Sequence, residues 1–483
     1  MNREISIGNW FRLLVLLLAA GACGMTLWAM AEPEKIYAAV GLLSLLIVCS
    51  PFMLLRKYDL LSPWTFVVLP IFILATPQAL CMSFHWPTHE SVNFSMLLGK
   101  GPEYFYYPSL VYLGGLICLV AGYFGFQKMP VRQYELHRTY HPLNIFIVMT
   151  LALVVAGAAT FAFVKFTGGF KSSRISDKRT TIRVVDVKED KELEQYGYLR
   201  QFGKLSTVAF LILYAYFLHR EERTSFIELG ILGLAFLLAC ALPFYSSSRA
   251  QLCWVVLSGL GVTYYLGYNR FKQQLIIAGV IGLSIFFLMS FLRHKDVHEA
   301  ATNASVIKAV ESLILNRNGP GLSKTSHIIN NIPDRLPYQY GSTFAVWLIA
   351  PIPRAIFPGK PLIHSGPIIG STIYKTSVSG VPPGFIAELY WNFHIPGVIF
   401  GMLALGFGLF RVYATIINSV VNPAILVPIY MFCVVQVGFA VLGNSLGFGV
   451  VMRLVDFVTI AIIIYLCTSP VSLKRMRTPM VHQ

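Results

Sequence analysis

Apolar residues run along this chain in stretches of about twenty, broken by polar links. A helix needs ~20 such residues to cross ~30 Å of hydrocarbon. About twelve stretches meet or approach that length: 9–30, 37–55, 64–84, 108–127, 143–164, 205–219, 226–243, 251–268, 274–292, 395–415, 425–445 and 449–467. The pattern predicts an all-α, polytopic integral membrane protein, a single transmembrane domain over residues 1–483 with about 12 transmembrane helices. Two connections are long, 165–204 and 293–394. The first starts basic, passes an acidic run and ends in a short predicted helix; it reads as a solvated tether or as an arm over anionic headgroups. The second carries an amphipathic stretch, "ASVIKAVESLILN", and an apolar run at 341–353. At ~1.5 Å per residue that run reaches only ~20 Å and cannot cross. It predicts a re-entrant or interfacial helical segment ended by Pro351 and Pro353, tolerated at membrane depth where it is buried in protein or lines a wet cavity.

Composition agrees with this reading. A chain that is 56% hydrophobic and 12% charged cannot hide its apolar surface in a water-soluble core. Basic residues resist translocation in short loops, so their placement sets orientation. With both termini cytoplasmic, every inside link is basic: Arg56 and Lys57, Lys128 and Arg132, Arg220 and Arg223, Arg270 and Lys272, Arg411, and the tail from Lys474. The two long loops then face outward and hold about half of the 38 basic residues, so the +16 balance points to anionic partners on the outer side. "AMAE" at 29–32 resembles a signal-peptidase site, but the apolar run before it is longer than a signal core, so an uncleaved first span is expected. All eight cysteines fall in or beside apolar spans, which suits neither loop disulfides nor a zinc cluster.

Charges in or beside spans cost about 2.5–3.5 kcal/mol each on insertion scales and so call for a partner or a purpose. Here they gather at the outward ends of the spans. Arg249 follows three serines between two spans, Arg354 and Lys360 flank the proline break "APIPRAIFPGKP", and Glu388 precedes the span at 395–415. Arg453 and Asp456 lie in the last span. Each has a plain reading: Arg453 and Asp456 neutralise each other on one helix face, Arg249 snorkels to headgroups, and Arg354 and Lys360 meet anionic lipid. Glu388 is then a lone interfacial carboxylate or an arginine's partner. Taken together, arginines around one water-accessible hollow suit a phosphate or pyrophosphate, because guanidinium binds such groups bidentately. A nearby carboxylate would accept a proton from an attacking hydroxyl.

No P-loop, GxGxxG, HExxH or Ser-His-Asp pattern appears in a supporting context. His85 with His89, and His294 with His298, have spacings open to a metal, yet two histidines make no site, and no metal is expected. Glu32 and Glu34 stand where some membrane glycosyltransferases carry an acid, and a solvated turn explains them equally well. "EYFYYP" reads as an interfacial aromatic belt.

"YGSTFAVWLIAPIPRAIFPGKP" followed by "PPGFIAELYWNFHIPGVIFGM" resembles the oligosaccharide repeat-unit polymerases, the Wzy-type O-antigen polymerases. "SSSRAQLCWVVLSGL" is similar to the Ser-Arg motif that opens a span in that family and in the related ligases. The likeness covers about 230–415 in motifs and the rest in hydropathy and loop layout. It implies a GT-C-like membrane glycosyltransferase in the bacterial cytoplasmic (inner) membrane, serving polysaccharide and lipopolysaccharide synthesis. Such an enzyme moves a growing glycan from undecaprenyl pyrophosphate to a new lipid-linked repeat unit on the outer face, without nucleotide sugar, metal or other cofactor. By position, Arg249 and Arg354 would hold the donor pyrophosphate with Lys360 assisting, and Glu388 and Asn392 would border the acceptor. Tyr390 in the same stretch, His364 and Arg453 complete the expected substrate-binding set. The expected partners are the bilayer, the undecaprenyl pyrophosphate-linked oligosaccharide, and a flippase and chain-length regulator of the same pathway; no nucleic acid is expected.

Two departures stand out. The family's His-Asn segment is replaced by Pro382-Pro383-Gly384, and the glycine usual after "NF" is His394. The resemblance therefore supplies no base at that place; Glu388 is the expected one, with His364 second, and a base is dispensable if stabilising the leaving group carries most of the barrier reduction. Three other functions share these features: a ligase with the same donor, a transporter or flippase of lipid-linked oligosaccharide, and a non-catalytic assembly subunit. A transporter would place its charges near the midplane.

Overall fold

The computed structural model describes residues 9–55, 57–84, 100–127, 142–167, 197–220, 225–246, 248–267, 321–350, 356–375, 381–417 and 423–447, with short pieces elsewhere. Among them, eight helices are long and apolar enough to cross a membrane, so the chain is a membrane-embedded, mostly helical protein. In chain order the helices are α1 (Asn9–Ala31), α2 (Ile36–Cys49), α3 (Pro63–Pro70) and α4 (Thr76–Ser83). They continue with α5 (Glu103–Gly125), α6 (Pro142–Phe166), α7 (Gly197–Gly203), α8 (Leu205–His219), α9 (Phe226–Tyr245) and α10 (Arg249–Leu266). Then come three short helices, α11 (Leu322–Ile329), α12 (Ser342–Leu348) and α13 (Ser365–Thr372), and last α14 (Phe385–Ile417), α15 (Pro423–Ile429) and α16 (Val435–Gly443).

Eight of the expected spans therefore correspond to long apolar helices, with α3 and α4 joined through a π turn at Ile71–Ala75. The stretch at 251–268 is a shorter apolar helix, Gln251–Leu266. The one at 425–445 is interrupted by a π turn, Tyr430–Val434, between α15 and α16. The stretch at 274–292 and most of 449–467 lie outside the described residues. The loop at 165–204 contains more than a tether. Strands Arg183–Asp186 and Lys191–Glu194 pair antiparallel, and α7 follows. β-branched and leucine positions at Val184, Val185 and Leu193 favour that pairing over coil.

Local chemistry explains several boundaries. Ser225 accepts from the Glu228 amide at 3.3 Å and Glu228 from the Ser225 amide at 2.8 Å, a capping box that starts α9. Arg220 closes the same corner with a bidentate pair to Glu228 at 3.0 and 3.1 Å. "EYFYYP" forms the first turns of α5, with Phe105 buried and Tyr106 and Tyr107 exposed.

One buried cluster joins α1–α5 with α11, α13 and α14, and a second joins α6, α8, α9, α10 and α15. Within the first, α5 and α14 meet backbone to backbone: a Cβ at Gly122 would fall 2.1 Å from the Leu403 carbonyl oxygen, and one at Gly406 2.3 Å from that of Leu119. At one end of the bundle, Asp59 ties three spans together. Its Oδ2 accepts from Tyr265 at 2.6 Å and Tyr413 at 2.8 Å, and its Oδ1 from the Leu61 amide at 3.0 Å. The opposite end carries α11, α12 and the first turns of α14.

Candidate functional site

α14 begins ten residues before the expected span, because "FIAELYWN" is itself helical and buried. The helix then kinks: Phe393 has φ −138° and His394 φ 55°, ψ −150°. Pro396 explains the break, since its ring opposes the Asn392 carbonyl and it supplies no N–H. His394 occupies backbone space that suits glycine. We expect His394→Gly to be more stable than His394→Ala by about 1 kcal/mol in thermal unfolding, since alanine keeps the strain while losing the ring.

Glu388 and Asn392 are one turn apart and share a face of α14. Asn392 Oδ1 accepts from the Gly341 amide at 2.8 Å, while its Nδ2 donates to Thr343 Oγ1 and to the Glu388 carbonyl, both at 2.8 Å. These bonds dock α12 on α14. Glu388 is fully buried. Its Oε2 accepts from the Leu446 amide at 2.5 Å, just beyond α16, and its Oε1 has no hydrogen-bond partner among the described residues. Leaving a buried polar atom unpaired costs about 1–3 kcal/mol.

The same turn after α16 anchors two other elements. Trp347 of α12 lies against Gly447, where an added Cβ would meet its ring at 1.9 Å, and stacks edge-on with His364 at 5.0 Å. Lys324 of α11 donates to the Gly443 carbonyl at 3.4 Å. Burial pushes the Lys324 ammonium down to about 7. His327, one turn on, is pushed down to about 4 by burial and then by Lys100 and Arg335. It shares a 2.7 Å hydrogen bond with Tyr104.

Of the residues expected from sequence, the Asn392 side chain bonds the Glu388 carbonyl, and His364 packs on Trp347, which lies against Gly447, one residue past the Leu446 amide that Glu388 accepts from. Tyr390, two positions along the helix, faces away and bonds Tyr107 at 3.0 Å. Lys360, expected to assist at the donor pyrophosphate, is buried and donates to the carbonyls of Ala350 at 2.7 Å and Ile352 at 2.8 Å. The proline stretch frees carbonyls that no helix satisfies, and the ammonium holds them. Lys360→Met should therefore lower stability by about 1–3 kcal/mol, read as a fall in the unfolding temperature of the purified protein.

Arg249 opens α10, and Arg354 and Arg453 lie outside the described residues, as do both histidine pairs. The expected pairing of Asp456 with Arg453 involves a residue outside the described ones; Asp456 also accepts from Gln201 at 2.9 Å, which ties it to α7. Lys324 was missed by sequence reasoning. Its only signal is a cation set among hydroxyl residues in "LSKTSHII", which reads as an ordinary polar loop until its burial is seen. The chain matches no protein-family model, no curated protein and no solved structure.

Proposed function

We propose that this protein is a glycan polymerase of the repeat-unit type, a membrane glycosyltransferase with about 12 spans and a GT-C-like arrangement. It acts on the outer face of the bacterial cytoplasmic membrane, with both termini inside. The observation that carries this reading is Glu388: a fully buried carboxylate with one oxygen oriented by a backbone amide and the other unpartnered among the described residues. A carboxylate so held is prepared to receive a proton. It also lies at the end of the bundle that the charge pattern assigns to the outside.

The reaction is a single displacement at the donor's anomeric carbon. The acceptor hydroxyl loses its proton to Glu388 as its oxygen bonds to that carbon. The bond from carbon to the pyrophosphate oxygen breaks, and the lipid pyrophosphate leaves with the electron pair. The configuration inverts. Arg249 and Arg354 stabilise the leaving group, worth about 3–4 kcal/mol for a well-placed donor. Asn392 fixes the helix turn that bears the base and sets α12 against it.

The test uses the purified full-length protein in lipid with undecaprenyl pyrophosphate-linked repeat units, scoring longer oligomers on a gel. A ladder from the wild type, reduced about 100-fold in Arg354→Ala, is the expected result. Absence of a ladder together with movement of the lipid-linked oligosaccharide across the bilayer would replace this reading with transport.

A further inference from the structure

α11 is an unusual helix for its position. All eight residues are buried, among them Ser323, Lys324, Thr325, Ser326 and His327. Lys324 is 2% exposed, and its contact with the Gly443 carbonyl, at 3.4 Å, is long for a charged donor. Among the described residues, no carboxylate comes within 4.0 Å of its ammonium. Removing an ammonium from water without a counter-charge costs several kcal/mol, so a site like this is stable when the amine is neutral or when an anion arrives. The turn whose carbonyl it meets is partly exposed: Gly443, Asn444 and Leu446 are half-buried.

We infer that Lys324 is a binding residue for the diphosphate of a lipid-linked donor, taking the anion in place of its weak contact with Gly443. The choice of ligand rests on the glycosyltransferase reading above, whereas the anion site rests on Lys324 itself. The two ends of one short turn then hold complementary groups. Gly443 meets the cation and Leu446 meets the carboxylate of Glu388, so a departing diphosphate and an incoming hydroxyl would be handled on either side of it. An ammonium is a compact charge well suited to phosphate oxygens.

Among the described residues, the other titratable groups on α11 and the helices beside it are few. His327 on the same helix is neutral at pH 7 and bonded to Tyr104 of α5, with Lys100 and Arg335 beyond it. Tyr37 lies on α2, Lys35 at its start is held by the Ser83 carbonyl at 3.1 Å, and Glu388 lies on α14. Because burial alone pushes Lys324 down to about 7, its amine is mostly neutral at pH 8 in the empty protein. An arriving diphosphate favours the charged form, so binding should draw in a proton.

The experiment is calorimetric titration of farnesyl diphosphate into the full-length protein in phosphatidylcholine nanodiscs at pH 8, in two buffers of different ionisation enthalpy. Inorganic pyrophosphate is run in parallel. Wild type should bind farnesyl diphosphate with uptake of about one proton. Lys324→Met should bind about 10- to 100-fold more weakly and without proton uptake. Lys324→Arg should bind without uptake, and Glu388→Gln should keep both binding and uptake, which excludes the carboxylate as the proton acceptor. Unchanged binding by Lys324→Met, or no uptake by wild type, would overturn the inference while leaving the polymerase reading intact. Pyrophosphate binding as tight as farnesyl diphosphate would overturn the lipid-linked assignment. Binding as described in a protein that makes no glycan ladder would remove the polymerase reading and leave the anion site standing. The wild-type result stands by itself should Lys324→Met fail to fold.

Discussion

Glu388→Gln should lower glycan extension by about 10²- to 10⁴-fold, the usual contribution of a positioned acid or base. The same variant should unfold at the wild-type temperature or above it. Glutamine keeps an oxygen for the Leu446 amide and removes the penalty of a buried charge, so the two readouts separate. A variant that loses activity and stability together would make Glu388 a structural residue. Retention of activity would remove it from the chemistry and leave His364 as the remaining candidate base.

The second large effect concerns folding. Gly122 and Gly406 let α5 and α14 approach until an added Cβ would lie 2.1 Å and 2.3 Å from carbonyl oxygens of the opposite helix. Those atoms are backbone, so no rotamer change relieves the clash, and the helices must separate. Small residues at such interfaces are what allow close helix packing in lipid, where the hydrophobic effect does not drive helices together. Gly122→Leu and Gly406→Leu should each cost at least the ~1–3 kcal/mol of ordinary overpacking. The monodisperse peak on size-exclusion in detergent should be lost. Gly114→Leu, on the same helix with open space around it, should elute like wild type. Equal behaviour of Gly114→Leu and Gly122→Leu would contradict this packing.

Some of the site was legible early because it follows from local rules. Glu388 stands out in the sequence as a carboxylate beside an apolar span, and in the fold it is buried and held by the Leu446 amide. The proline stretch after residue 350 announced a broken helix, and α12 does end at Leu348. Asn392 stands out by its place in a motif, and its hydrogen bonds dock α12. Lys360 shows the limit of that reasoning. A cation near a break reads as a ligand group, and nothing local shows that its ammonium also donates to two carbonyls of its own loop. Lys324 shows the converse. A lysine in a polar octapeptide carries no mark of burial, and burial is what makes it chemically interesting.

The sequence by itself determined that this chain lives in a membrane and roughly where most spans lie. Hydrocarbon thickness and the need to satisfy every backbone amide act on each segment independently, so a one-dimensional pattern suffices. Only the tertiary structure decided that residues 324, 388 and 443–446 converge on one turn, that Tyr390 turns away, and that Asp59 binds three spans at the far end. Those meetings depend on how helices distant in sequence are packed side by side, and no local preference of any single segment encodes them.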